Sequence, residues 1–482
     1  MKRQRKYFKF LALLMFVLFF FLVAYGGYSV VTYGNRWFAS SRNPRLRSQK
    51  ENVMAGDIQD RNGVVLATTD ELGNRVYQSD KAARSAIVHL LGDASGYVAN
   101  GVESFQTAYL YGFHTSFQEL LSDFFTGEER RGDTVRLTID SKLCTEIVSS
   151  FQRYSASRGH NGAAVVMNYE TGEILAEISL PNFDPQEITS AILSSEEQPF
   201  WNRATQSVYP PGSTFKIVTA AAALEQLPEI ETETLTCTGG LDTGSAIIRD
   251  FGGAVHGNLS LREAFGVSCN NVFGQLALTL TDAKLRKTAE DFGFNDNFLF
   301  HDLVVENSQY PVSATRTPYE VAASGFGQSS IAASPLHMCM IASAVAYGGM
   351  AQEPVLLRQV LTPSGYERTS GVTRQYRRMM DAQTAERLRD FMRYTVTSGT
   401  GTSAGTGGLP ICGKTGTAES TLRGQPVNYG WFVGYIEDEY LPFAVCVLVE
   451  DIADGQGGGS TAAPIARDIF GYLLEYPDRV RN

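Results

Sequence analysis

An uncharged apolar run from Phe10 to about Val31 constrains this chain more than any other stretch. It holds Phe10, Leu11, Leu13, Leu14, Phe16, Val17, Leu18, Phe19 and Phe20 in its first half alone. About 20 residues at ~1.5 Å rise cross the core of a bilayer as a helix. Lys2, Arg3, Arg5, Lys6 and Lys9 precede the run, and no basic cluster follows closely. That asymmetry predicts a cytoplasmic N-terminus, with the rest of the chain outside. A cleaved signal peptide is the competing reading. Val23-Ala24-Tyr25-Gly26-Gly27 is a poor small-x-small cleavage site, and the run continues past it, so an uncleaved anchor is expected.

The charge balance agrees. Of 41 basic residues five lie before the run, leaving 36 against 51 acidic residues, or −15, for the remainder. A chain this acidic is not built for nucleic acid. At 482 residues it exceeds one ordinary core, so two or three domains are expected. The cysteines Cys144, Cys237, Cys269, Cys339, Cys412 and Cys446 form no C-x-x-C, and no two histidines stand at i, i+4. The spacing suggests no metal framework, and buried free thiols are the expected state.

After the anchor, Arg36–Asn52 reads as a polar stalk. Asn62-Gly63, between the short β-like runs of Gly56–Ala67, predicts a hairpin. The stretch to Arg131 shows no chemistry of its own. Gly132–Asp140 alternates as a strand, Leu143–Phe151 as an amphipathic helix, and the polar link Ser155–Asn161 marks a domain boundary. Ala163–Met167 and Ile174–Ile178 form a second predicted hairpin. Ile411–Ala418, Trp431–Ile436 and Phe443–Glu450 read as an antiparallel meander, followed by a helix over Thr461–Tyr476. Thr214–Phe391 is mostly helical in pattern. Strands at both ends with helices between predict an α+β domain: a sheet, a helical lobe and a cleft where they meet.

Three short motifs could line that cleft. In Tyr209-Pro210-Pro211-Gly212-Ser213-Thr214-Phe215-Lys216, Ser213 and Lys216 are neighbours on a helix at i, i+3. The two prolines cannot extend a helix backwards, so Ser213 falls at its N-terminus. The run Ile217–Leu224 is apolar nearly all round, which buries the helix and lowers the lysine's proton affinity towards a useful base. Ser268-Cys269-Asn270 offers a proton-relaying hydroxyl and an amide for a peptide-like ligand. Lys414-Thr415-Gly416-Thr417, on a predicted strand, offers a fixed cation, a hydroxyl and a backbone N–H, with Gly416 allowing a close approach. Each alone has an ordinary reading, as a helix cap with an incidental lysine, a second cap, or a strand with one glycine.

In this order the three form the set shared by penicillin-binding proteins and class A β-lactamases. The chain resembles a class B penicillin-binding protein, a monofunctional peptidoglycan D,D-transpeptidase. The likeness includes Asn202-Arg203-Ala204, Phe326-Gly327-Gln328, Ser334-Pro335-Leu336, Gly413–Glu419, Trp431–Tyr435 and the hairpin of Gly56–Ala67. It runs from the anchor to about Arg467 and leaves no room for a glycosyltransferase domain. It departs at Cys269, where many lactamases have Asp, and that position is expected to matter least.

The resemblance implies a tail (1–9), an anchor (10–31), a non-catalytic pedestal-like domain (32–155) and a transpeptidase domain (156–482), in the bacterial plasma membrane. It further implies that Ser213 attacks a D-alanyl-D-alanine carbonyl while Lys216 takes its proton. The backbone N–H groups of Ser213 and Thr417 would hold the oxyanion. Ser268 and Lys414 would pass a proton to the leaving D-alanine. Asn270, Thr415, Gly416 and Thr417, with Lys414, would bind the stem peptide. An amine of a neighbouring stem would then take the acyl group, and β-lactams would mimic the donor. No metal or organic cofactor is implied. Partners would be peptidoglycan stem peptides, β-lactams, and proteins of an elongation or division complex. Three alternatives share the serine or bypass it: a D,D-carboxypeptidase, a β-lactamase or β-lactam sensor, and a scaffold with a dispensable site.

Overall fold

The computed structural model describes residues 2–38, 52–116, 119, 125, 130–313, 315–422 and 424–481. Helix α1 (Lys2–Phe38) contains the apolar run. Within it Lys9–Ser29 has a mean hydropathy of 2.5 and is long and apolar enough to cross a membrane. Side chains along it, such as Phe16, Phe20 and Leu22, are exposed. Most of the expected stalk, residues 39–51, lies outside the described residues.

Strands β1 (Ile58–Gln59) and β2 (Val65–Thr69) pair antiparallel, as the Asn62-Gly63 signal predicts. Gly63 takes φ 80° in the turn, and the Asp60 carboxylate accepts from the N–H of Asn62 and Val64. β3 (Arg75–Tyr77) and β4 (Thr134–Leu137) follow. Helix α2 (Ser141–Arg153) starts where Asp140 accepts from the N–H of Lys142 and Leu143. It buries Leu143, Cys144, Ile147 and Phe151, one stripe at helical spacing. β5 (Gly162–Asn168) and β6 (Ile174–Leu180) form the second hairpin.

The chain then leaves the sheet. A 3₁₀ turn, Gly212–Phe215, runs into α3 (Lys216–Gln226), whose first eight residues are all buried. Four three-residue strands come next: β7 (Leu235–Cys237), β8 (Gly240–Asp242), β9 (Ile247–Arg249) and β10 (Gly257–Leu259). They pair as β7–β10 and β8–β9. Helices still supply most of the regular structure of Thr214–Phe391, as expected, and these strands were not foreseen because strands this short carry too few residues to show alternation. Helices α4 (Asn270–Leu280) and α5 (Pro335–Ala346) precede β11 (Met350–Gln352), β12 (Leu357–Leu361), β13 (Glu367–Ser370) and β14 (Gln375–Arg378). Helix α6 (Ala382–Ser398) leads back to β15 (Ile411–Leu422), β16 (Gln425–Ile436) and β17 (Phe443–Val449), and α7 (Ala462–Glu475) closes the fold.

The central sheet has the order β15-β16-β17-β5-β6, all antiparallel. Its inner strands are near-continuous apolar runs because helices cover both faces. Helix α5 packs on β5, β16 and β17, while α7 packs on β16, β17 and α2. A second sheet, β13-β12-β4-β1-β2-β3, joins residues on both sides of the Ser155–Asn161 link. Val360 of β12 pairs with Val135 of β4, and Arg368 of β13 makes an ion pair of 2.7 Å with the buried Asp133. The chain beyond residue 156 thus lends a hairpin to the N-terminal sheet.

Candidate active site

The edge strand β15 and the turn before α3 meet at glycines. A Cβ on Gly416 would stand 2.9 Å from Thr214 Cγ2 and 3.0 Å from the Pro211 carbonyl. A Cβ on Gly212, which has φ 54°, would stand 2.4 Å from the Thr417 carbonyl. These two bare backbones let Ser213 lie beside Thr417. The indole of Trp431 donates to the Pro210 carbonyl at 3.0 Å and fixes the turn to β16. From the other side Gly327 accepts from the Gly212 N–H at 3.1 Å.

Gly327 has φ 74°, and a Cβ there would stand 2.1 Å from the Gly212 carbonyl. Gly327→Ala is therefore expected to cost about 1–3 kcal/mol from overpacking and about 1–2 kcal/mol more from its left-handed backbone. Urea unfolding measures the loss, and acylation should slow with it. Unchanged stability would show that nothing rigid stands behind the turn.

Ser213, Ser268, Asn270, Thr415, Gly416 and Thr417 line one cleft of about 1010 Å³. The fully buried Lys216 and Lys414 sit beneath it. Lys216 Nζ donates to the Ser268 carbonyl at 2.5 Å and to Asn270 Oδ1 at 2.9 Å, and lies 3.1 Å from Ser268 Oγ. Lys414 Nζ donates to Ser268 Oγ at 2.9 Å and to the Thr415 carbonyl at 3.1 Å. One hydroxyl thus bridges two lysines. Burial lowers Lys216 to about 7, against a partial pull upward from Cys269 and Asp250. Burial, then repulsion from Lys216, holds Lys414 well below the ordinary lysine range. Two amines this close in a dry site do not both keep a charge. A neutral Lys216 spends two N–H groups on Ser268 and Asn270 and keeps its lone pair for a proton.

Ser268 itself has φ 60°, the left-handed region, at a cost of about 1–3 kcal/mol for a non-glycine residue. The turn is held on its far side, where Asp250 accepts from the N–H of Asn270 and Asn271. Every site residue expected from the sequence falls in this one cleft or directly beneath it. Others were not anticipated. Thr400 shares a 2.6 Å hydroxyl hydrogen bond with Thr415. Gly458 donates to the Gly416 carbonyl at 3.2 Å, and a Cβ on Gly457 would meet Thr417 Oγ1 at 2.6 Å. The run Gly455-Gln456-Gly457-Gly458-Gly459 was the visible signal for that close approach. Arg249, Asp250 and Phe251 also line the cleft.

Residues 162–471 match the family model for the penicillin-binding protein transpeptidase domain. The chain is 32% identical over 402 residues to the peptidoglycan D,D-transpeptidase PbpA of Mycolicibacterium smegmatis, covering 79% of this chain and 80% of that one. It is 31% identical over 351 residues to stage V sporulation protein D of Bacillus subtilis, covering 70% of this chain and 53% of that protein. Among solved structures, penicillin-binding protein A from M. tuberculosis, as its imipenem acyl-enzyme complex, superposes with a TM-score of 0.78. The identity is 30%, covering 88% of this chain and 100% of that one.

Proposed function

The chain belongs to the penicillin-binding protein transpeptidase family, as a class B member and a peptidoglycan D,D-transpeptidase, and from that premise we propose that Ser213 carries the acyl group. The carrying observation is the Ser268 hydroxyl held between two buried lysines, 3.1 Å from Lys216 and 2.9 Å from Lys414, under a cleft lined by Ser213 and Thr417.

Lys216 takes the Ser213 proton as Oγ attacks the carbonyl between two D-alanines. The backbone N–H groups of Ser213 and Thr417 receive the oxyanion. Lys414, Thr415 and Thr417 bind the terminal carboxylate, Asn270 binds the donor backbone, and Gly416 keeps the floor open. The proton returns through Ser268 to the departing D-alanine. An amine of a second stem then attacks the ester and forms the cross-link. A β-lactam enters as the donor does and stays on Ser213.

The apolar helix within α1 anchors this chemistry in the bacterial plasma membrane, with the N-terminus in the cytoplasm and the cleft outside. Residues 1–9 form the tail, 10–31 the anchor, 32–155 the pedestal and 156–482 the transpeptidase domain, with β12 and β13 lent to the pedestal. Proteins of an elongation or division complex would be the chain's partners.

Intact mass after treatment with penicillin G, followed by peptide mapping, is expected to give one adduct per chain, on the peptide containing Ser213. An adduct on any other peptide overturns the assignment. Incubation with paired stem peptides should yield a cross-linked dimer, and release of D-alanine with no dimer would make the enzyme a carboxypeptidase instead.

A further inference from the structure

The cleft carries two exposed charges, Arg249 and Glu419, that the acyl-transfer chemistry does not use. Taking Ser213 as the acyl carrier, on which this rests, we propose that the two residues read the side chain of the stem residue before the two D-alanines. They favour a side chain that ends in both an ammonium and a carboxylate, as that of diaminopimelate does. A stem able to act as acceptor carries a side-chain amine, and the same stems act as donors. The donor therefore brings a charged side chain into the cleft along with its D-alanines.

Strand β15 sets where that side chain goes. Thr415, Thr417 and Glu419 alternate with the buried Lys414 and Ala418, so their side chains follow one another on the cleft face, about 7 Å apart. The backbone edge is open at Thr417 and closed at Glu419. There the Gln328 side-chain amide donates to the Glu419 carbonyl at 3.2 Å and accepts from the Glu419 N–H at 3.1 Å. Gln328 thus makes both hydrogen bonds that an added antiparallel strand would make. A donor whose scissile residue faces Thr417 would return to hydrogen-bonding register two residues back, opposite Glu419, and that rung is taken. The residue in between, the one before the D-alanines, turns off the edge into the cleft mouth beside the Glu419 carboxylate.

Arg249 stands next to the other group expected to hold the donor backbone. It ends β9, and its carbonyl accepts from the Asn270 amide at 3.3 Å. Among the described residues neither Arg249 nor Glu419 makes an ion pair, with the other or with a third group. Asp250, the other carboxylate on the cleft, is buried and accepts from the N–H groups of Asn270 and Asn271. Glu419 is thus the carboxylate left for an ammonium, which has three donors and no acceptor. The Arg249 guanidinium can grip a carboxylate with two N–H groups. A lysine side chain engages Glu419 alone, and a neutral one engages neither.

The test compares three donor thioesters, N-acetyl-X-D-alanyl-thioglycolate, on the detergent-solubilised full chain. X is meso-diaminopimelate linked through its L centre, lysine or norleucine, and release of thioglycolate reads acylation. In the wild type kcat/KM is expected to rise roughly 3–10-fold from norleucine to lysine, and by a similar factor from lysine to diaminopimelate. Glu419→Gln should erase the preference for lysine over norleucine, and Arg249→Gln the preference for diaminopimelate over lysine. A folding defect would lower all three donors alike and leave those ratios standing. Equal kcat/KM for the three donors in the wild type overturns the proposal. So does a Glu419→Gln enzyme that still prefers lysine to norleucine, or an Arg249→Gln enzyme that still prefers diaminopimelate to lysine. Penicillin G separates the two levels: a label on Ser213 with no discrimination among donors sinks this inference alone, whereas a label elsewhere sinks the assignment beneath it.

Discussion

Ser213→Ala is expected to take up no penicillin at any pH while unfolding at nearly the wild-type temperature. The hydroxyl is half-buried at the cleft floor, and removing such a group away from a packed core changes stability by about 0.5 kcal/mol or less. On the proposed mechanism the acyl bond forms at the Ser213 hydroxyl that this variant removes. Lys216→Met separates nucleophile from base. Methionine keeps the long apolar stem inside α3 but supplies neither a base nor a donor. Its acylation should slow by about 10²–10⁴-fold, the usual yield of a positioned general base. The Ser268 carbonyl and Asn270 Oδ1 lose their donor, at about 1–3 kcal/mol. Relief from burying an amine offsets part of that loss. Labelling of Ser213→Ala at wild-type rates would place the nucleophile elsewhere. Wild-type rates in Lys216→Met would remove the lysine from the base role.

The parts of this site that could be read in advance are those with local grammar. Pro210-Pro211-Gly212 stops a helix, Ser213 and Lys216 share a face, and a glycine in a strand at 416 predicts a close neighbour. The structure adds that the neighbour is Thr214 itself, so the first and third motifs brace one another. The parts that could not be read are long-range. Pairing of Val360 with Val135 leaves no trace in either segment, because a strand's pattern names its buried face and not its partner. Thr400 and the 455–459 loop reach the cleft together, a Cβ on Gly459 standing 2.7 Å from the Thr400 carbonyl, and only the glycines advertised it.

The lysine pair makes the pH profile of acylation depend on the substrate's own charge. Lys216 is lowered from the ordinary 10.5 to about 7, so in the free enzyme it becomes a base as pH rises through about 7. Lys414 lies in the same dry pocket, and each amine disfavours a proton on the other. A penicillin carboxylate binding at Lys414 changes that balance. It favours an ammonium at Lys414, and the proton can reach it from Lys216 through Ser268 Oγ, which touches both. The carboxylate thereby frees the base it needs. Penicillin G is thus expected to acylate with an acid limb below pH 7, whereas its methyl ester should follow Lys216 itself, losing about tenfold per pH unit below 7. Lys414→Ala should abolish the difference between the two. Stability supplies an independent check. Because the folded value is depressed, Lys216 binds its proton in the unfolded chain but not in the folded one between about 7 and 10.5, so its own contribution to unfolding free energy rises with pH across that window, by at most about 1.4 kcal/mol per unit. Lys216→Met should remove that contribution, making the pH dependence shallower than in the wild type by up to the same amount. Identical acid limbs for the acid and the ester would show that Ser268 carries no proton between the lysines.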